Sequence, residues 1–369
     1  MQLVQTPRDA LLKPLTTVAG IVERRHTLPV LANILLRKKA GVVSFIATDL
    51  EVQITTRAEF GVGADDESLT VAARKLVDIL RALPDVGDVK LSTSANKLAV
   101  QSGKSRFSLQ TLPATDFPVM AMPERWDASL SMARKTLKHL FNMVHFAMAQ
   151  QDIRYYLNGM LLVIEPGLLR AVATDGHRLA HSSTPVEGIT QRTEVIVPRK
   201  TVLEMQRLLD ESEEPVAIDV APGQIRFSFG QVELVSKLVE GKFPDFKRVI
   251  PSNYTRHFDV SREALQGCLQ RAAILTSEKF RSVRLQLGQN LLKITSSNAE
   301  QEEAQEELDV DYAHEALDVG FNVSYLLDFL SNVKAETIRW SVMPDANASA
   351  LITLADDESF KYVVMPMRI

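Results

Sequence analysis

The chain is 369 residues long, 46% apolar and 24% charged, with a net charge of −4. At ~100–200 residues per domain this suits two or three globular domains. The composition excludes a membrane span, because runs such as Met160-Leu161-Leu162-Val163-Ile164 fall far short of ~20 residues. It also excludes an intrachain disulfide or thiolate metal cluster, because Cys268 is the only cysteine. The opening Met1-Gln2-Leu3-Val4-Gln5 has no basic start before an apolar core, so no secretory leader is expected. A reducing, cytoplasmic setting follows as the expectation.

In chain order, apolar spacing predicts a helix over 8–25 through Leu11, Leu15, Val18 and Val22, then one over 74–83 through Leu76, Leu80 and Leu83. Helices over 131–150 (Leu137, Leu140, Phe141, Val144, Met148) and 199–208 (Val202, Met205) follow. The last two lie over 261–275 (Leu265, Cys268, Leu269, Ala272) and 322–334 (Leu326, Leu330, Val333). Ser131 and Ser261 suit N-caps. Strand-like runs intervene at 42–47, 90–92, 98–100 and 224–229.

The order of elements recurs because the sequence recurs. Ala173-Thr174-Asp175 repeats Ala47-Thr48-Asp49 at an offset of 126 residues. Arg199-Lys200 repeats Arg74-Lys75 at 125, and Phe243-Pro244 repeats Phe117-Pro118 at 126. A weaker third copy aligns Ile294-Thr295-Ser296 and Asn322-Val323-Ser324-Tyr325 with the second. Repeats of one period define the fold before any motif does. Three tandem α+β domains are expected, over 1–126, 127–255 and 256–369, each with two helices against antiparallel sheet.

Charge is distributed unevenly over this pattern. The six predicted helices hold sixteen Lys and Arg against six Asp and Glu, so the remainder of the chain is strongly acidic. Glu is as good a helix former as Lys or Arg, so amphipathicity alone does not explain the bias. A basic helical layer on an acidic protein is the footprint of a polyanion. No zinc-finger spacing or RNP signature occurs, so contact is expected with phosphates rather than bases. The acidic run 300–307 has a basic counterpart at Lys97, Lys104 and Arg106, which suits head-to-tail association, and such an interface gives a ring when it closes.

An enzyme reading is weak. Asp175, His177 and His181 form D-x-H-x3-H, but His residues four apart share a face only on a helix, and 178–183 reads as strand. The first copy has Asp49, Glu51 and Val52 at the corresponding positions. No phosphate-binding glycine loop or nucleophile elbow is present. No metal, cofactor or catalytic residue is expected; a repeated scaffold without DNA is the alternative.

Several long motifs resemble the bacterial sliding clamp family, the beta subunit of DNA polymerase III. They are Gln151-Asp152-Ile153-Arg154-Tyr155-Tyr156-Leu157-Asn158-Gly159-Met160, Ala173-Thr174-Asp175-Gly176-His177-Arg178-Leu179, Gly241-Lys242-Phe243-Pro244-Asp245, Ser277-Glu278-Lys279-Phe280-Arg281 and the terminal Tyr362-Val363-Val364-Met365-Pro366-Met367-Arg368-Ile369. The resemblance implies a homodimeric, head-to-tail ring of six domains around double-stranded DNA, held without sequence preference. It implies partners (a polymerase subunit, a clamp loader and repair proteins) that dock through short linear peptides, and no chemistry of its own.

Residue by residue, the resemblance implies DNA contacts at Arg25, Arg74, Gln151, Tyr155, Tyr156, Arg199 and Lys200. It implies a peptide groove of Leu157, Thr174, Gly176, His177, Arg178, Leu179, Pro244, Arg248, Val249, Asn322, Tyr325, Val363, Val364, Met365, Pro366 and Met367. One of Val363 and Val364 is expected to face outward, since strand side chains alternate. At the ring joint, Phe107 is expected to meet Ile274 and Leu275, while Lys75, Lys104 and Arg106 face Glu300, Glu302, Glu303 and Glu306.

Overall fold

The computed structural model describes residues 1–23, 28–63, 65–85, 87–277, 279–355 and 357–368. Its helices are α1 (Arg8–Ala19), α2 (Ala73–Ala82), α3 (Arg134–Asn142), α4 (Arg199–Leu208), the single turn α5 (Phe246–Val249), α6 (Arg262–Ala272) and α7 (Val323–Asn332). The chain divides into two compact units, Met1–Arg134 with Arg207–Leu238, and Lys135–Gln206 with Val239–Ile369.

The first unit is built on one twelve-stranded sheet. All its ladders are antiparallel, and the middle one joins distant parts of the sequence: Val52–Ala58 pairs with Val232–Lys237, from Val52↔Ser236 to Thr56↔Val232. α1 turns Leu11, Leu15 and Val18 inward, and packs on α2 and on strands Val42–Thr48 and Val52–Ala58. The second unit holds an eight-stranded and a four-stranded antiparallel sheet. In the larger one Arg178–Pro185 pairs with Asp357–Val364, the counterpart of the ladder just described. α6 packs on α7 and on strands Leu291–Ser297 and Glu303–Asp309 of the smaller sheet.

Helix positions follow the apolar periodicity, but several ends do not. α1 stops at Ala19, not at 25. Gly20 follows it, where a Cβ would lie 2.2 Å from Arg207 Nη2. That guanidinium donates to Thr17 O at 2.8 Å, satisfying a carbonyl that would otherwise be left open at the helix end. α3 begins at Arg134, and Ser131 is not its cap: it lies in strand Ala128–Ala133, paired with Ala217. The remainder of the predicted 131–150 helix is a short 3-10 turn, His145–Ala147, and irregular chain. Ser261 does cap α6, its Oγ accepting from Ala264 N at 3.3 Å. Lys334 falls beyond α7, which Asn322 caps by accepting from Ser324 N at 2.9 Å. With these ends the six longer helices keep thirteen Lys and Arg against five Asp and Glu, so the basic bias survives.

Candidate partner groove and nucleic-acid interface

The repeated Ala-Thr-Asp has a structural cause. In the second copy Asp175 Oδ1 accepts from the backbone N–H of His177 (2.9 Å) and of Arg178 (3.1 Å). Thr174 Oγ1 donates to Arg178 O (2.6 Å) and accepts from Gly176 N (3.1 Å). In the first copy Asp49 Oδ1 accepts from Glu51 N (2.9 Å) and Val52 N (2.7 Å), while Thr48 Oγ1 donates to Val52 O (2.9 Å) and accepts from Leu50 N (3.0 Å). Short Asp and Thr side chains close such turns by mimicking backbone. The residue after Asp is left-handed in both, Leu50 at φ 77° and Gly176 at φ 91°. Asp175 is thus occupied by its own turn, and no group of three metal-ligating side chains occurs among the described residues.

Arg178 is the centre of this site. It is buried, its Nε donating to Asp175 Oδ2 at 3.1 Å and its Nη1 to Asp328 Oδ2 at 2.7 Å. Its guanidinium lies 4.4 Å from the Tyr325 ring centroid, and His177 stacks on the same ring at 6.4 Å. Burial opposes its charge, but Tyr362, Asp328 and Asp175 together hold its pKa above the usual arginine value. Met365 N donates to His177 O at 2.9 Å and Met367 N to Gly320 O at 2.8 Å, which seats the C-terminal segment beside the turn. A concavity of about 680 Å³ opens here, lined by His177, Arg178, Tyr325, Asp328 and Arg199 among others. Asp328 and Phe146, which also flanks Arg178, escaped the sequence reading. A single acid on the apolar helix α7 was the available signal for Asp328.

The remaining groove residues separate by exposure. Pro244, Arg248, Val249 and Met365 are exposed, and Pro366, Met367, Asn322 and Tyr325 are half-buried. Leu157, Leu179 and Val363 belong to a buried cluster with Phe243 and Phe246. The expectation that one of Val363 and Val364 faces outward is not met: they are 1% and 0% exposed. Alternation still holds, but both sheet faces are covered, Val363 by that cluster and the opposite face by Phe329 stacked on Phe360 and Tyr362.

Next to the turn, the loop 150–158 is tied down by side-chain hydrogen bonds. Arg154 donates to Asp152 through Nε (3.0 Å) and Nη2 (2.8 Å), and Nη2 also reaches Asp175 O at 3.1 Å. These bonds hold the Asp152 carboxyl down at about 2. Asn158 closes the loop by donating to Asp152 O and accepting from Asp152 N, both at 2.9 Å. The loop presents Gln151, at φ 57°, with Ile153 95% and Tyr155 57% exposed. Tyr156 instead packs on the buried cluster, so the two aromatics differ in environment. Arg74 is exposed on α2, Arg199 and Lys200 are half-buried on α4, and Arg25 lies outside the described residues.

Two of the strands with open edges carry the residues expected at the ring joint. Ser105–Pro113 pairs with Lys97–Ser102 over 105–110, but with Glu67–Ala72 only over 111–113. Lys104, Arg106 and Phe107 are exposed along that open stretch, and Lys75 is exposed on α2. Glu303–Asp309 is the last strand of the four-stranded sheet. Ile274 stands 77% exposed near it in sequence, Leu275 is half-buried, and Glu300, Glu302 and Glu303 are exposed. Glu306 is engaged within its own chain, accepting from Arg271 Nε (2.8 Å) and Nη2 (2.6 Å), and Glu302 accepts from Asn298 at 2.6 Å.

Three family models match the chain: the N-terminal domain of the DNA polymerase III beta subunit over residues 2–121, its central domain over 131–245 and its C-terminal domain over 247–368. The chain is 48% identical over 365 residues to the beta sliding clamp of Pseudomonas aeruginosa, with 98% of each chain covered. It is 44% identical over 364 residues to that of Escherichia coli K12, again with 98% of each covered. A solved Pseudomonas aeruginosa sliding clamp bound to griselimycin superposes with a TM-score of 0.96 at 47% identity, covering 100% of both chains.

Proposed function

The chain belongs to the DNA polymerase III beta-subunit family, the sliding clamps, and acts as a DNA sliding clamp of three tandem clamp domains; from that premise we propose that two copies join head to tail into a ring around double-stranded DNA. The role in this family is processivity, not catalysis. Domain boundaries near 126/127 and 255/256 fit the reading, as does a cytoplasmic location. The observation that carries the dimer is a pair of open strand edges of opposite character. One, over 105–110, is flanked by Lys104 and Arg106, and the other, Glu303–Asp309, by Glu300, Glu302 and Glu303. Open edges are templates for pairing with another chain.

Within the ring, Arg74, Gln151, Tyr155, Arg199 and Lys200 contact DNA phosphates and sugars without reading sequence. The turn 174–178, with Tyr325, Val249 and Met365, takes short peptides from a polymerase subunit, a loader and repair proteins. The exposed Met365 and half-buried Met367 suit varied ligands because thioether chains repack readily. The deciding experiment loads the protein on nicked circular DNA and then linearises it. Retention on circles at high salt and release from linear DNA is the expected result. Equal loss from both would refute topological tethering.

A further inference from the structure

Three adjacent strands place a second set of polar side chains on one sheet face. Between Leu168–Thr174 and Arg178–Pro185, Arg170 stands opposite Ser183. Between Arg178–Pro185 and Asp357–Val364, His181 stands opposite Lys361. Opposed residues have Cβ atoms ~4.5–5.5 Å apart and diagonal ones ~7–8 Å. The His181 imidazole therefore has an ammonium beside it on one ladder and a guanidinium diagonal to it on the other. Like charges held this close repel unless something negative lies between them.

These side chains line a cavity of about 670 Å³, walled by Phe246, Lys247, Tyr254 and His257. Among the described residues Glu358 is the only carboxylate in the lining, against the cations Arg170, Lys247 and Lys361. Arg170 is bound by Glu165, outside the cavity lining. His257 Nδ1 is taken by Ser341 Oγ at 2.8 Å, and Tyr254 OH donates to Ser349 O at 2.9 Å. His181 is 8% exposed and stacks on Phe246 at 5.9 Å; backbone groups of Ser359 and of His181 itself favour its charged form, yet its Nδ1 has no hydrogen-bond partner among the described residues. A buried orphan of this kind calls for a missing partner.

We infer that this cavity binds a small oxyanion, a phosphate or a carboxylate, between Arg170, His181 and Lys361. The anion supplies a counter-charge to Lys361, which has no carboxylate within ion-pair distance among the described residues, and accepts from a protonated Nδ1. Burial first, then Arg170 and Lys361, push His181 down to about 4, so without an anion the ring is uncharged at neutral pH. An anion there favours the charged ring, so binding takes up a proton and tightens as pH falls. Arg170 and Lys361 act on the ring directly, and the rest of the lining adds Lys247 and His257 against Glu358, so the site stays cationic across that range. This assignment does not depend on the ring, although Phe246 also belongs to the cluster beneath the peptide groove.

The test follows histidine ring signals by NMR in the full-length protein as sodium phosphate, sodium acetate or sodium chloride is added at matched ionic strength. His181→Gln identifies the signal. Phosphate or acetate should raise the apparent pKa of His181 by about one unit or more, with chloride inert. A response to phosphate alone assigns the site to free phosphate; a response to acetate assigns it to a carboxylate, as on an acidic peptide. Lys361→Gln should demand roughly tenfold more anion for the same shift. The inference is overturned if neither anion moves His181 beyond chloride, or if Lys361→Gln responds as the unmodified protein does.

Discussion

Arg178 keeps its charge in a buried position because two carboxylates and a tyrosine ring surround it. Removing one member of a buried pair leaves the other desolvated and unpaired, at ~3–5 kcal/mol. Arg178→Ala should therefore lower unfolding free energy by about 3 kcal/mol in urea titration, less if Asp328, which is half-exposed, rehydrates. His181 makes a separate prediction. Its folded pKa of about 4 lies below the ordinary histidine value, so the unfolded chain binds the extra proton. Its contribution is complete above pH ~6.5 and is lost as pH falls toward 4, on the order of 3 kcal/mol in all. His145, also lowered by burial, acts in the same direction. His181→Gln should flatten the stability profile over that window, as read by denaturant midpoints at each pH. At this scale the sequence was legible where a residue acts on its own backbone: Thr174 and Asp175 could be picked out by their echo. It was not legible where exposure decides, as at Val363 and Val364, because covering of the second sheet face comes from distant Phe329.

The turn at 174–178 and the loop at 150–158 are braced against each other through Arg154. A Cβ at Gly176 would lie 2.9 Å from Arg154 Nη1, on a residue already at φ 91°. Gly176→Ala should destabilise by about 1–2 kcal/mol in chemical denaturation, since both strain and displacement oppose it. Under the groove proposal, deleting 365–369 should abolish peptide binding, measured by fluorescence anisotropy, and leave sedimentation unchanged. Unchanged peptide affinity would remove the C-terminal segment from the groove. Helices were readable from 3.6-residue periodicity, and the strand reading of 178–183, after the repeated turn, is what ruled out a helical histidine pair. Helix ends were not readable: α1 stops where Arg207, 190 residues away, supplies the capping donor.

For the whole molecule, the proposed seam sets apolar contact against charge. Exposed ion pairs contribute ~0–1 kcal/mol each, and Glu306 is already held by Arg271. Ile274→Asp should therefore weaken the dimer far more than Glu303→Gln, and sedimentation equilibrium should show little salt dependence for the unmodified dimer. Equal effects of the two substitutions would place charge, not Ile274, at the centre of the joint. Two repeats were readable because Thr-Asp, Arg-Lys and Phe-Pro keep nearly one offset, and the third through weaker matches at 294–296 and 322–325. The division into two compact units was not, because Val232–Lys237, from the second repeat, completes the sheet of the first.

That shared ladder has a consequence during synthesis. Strand Val52–Ala58 leaves the ribosome long before its neighbour Val232–Lys237 exists. At ~5–20 residues per second the wait is roughly 10–40 s. Through that interval the nascent N-terminal portion offers a bare row of amides and carbonyls to any other chain. Its solubility in the cell then rests on chaperone attendance or rapid elongation, and a ribosome stalled between the two strands would release an aggregating fragment.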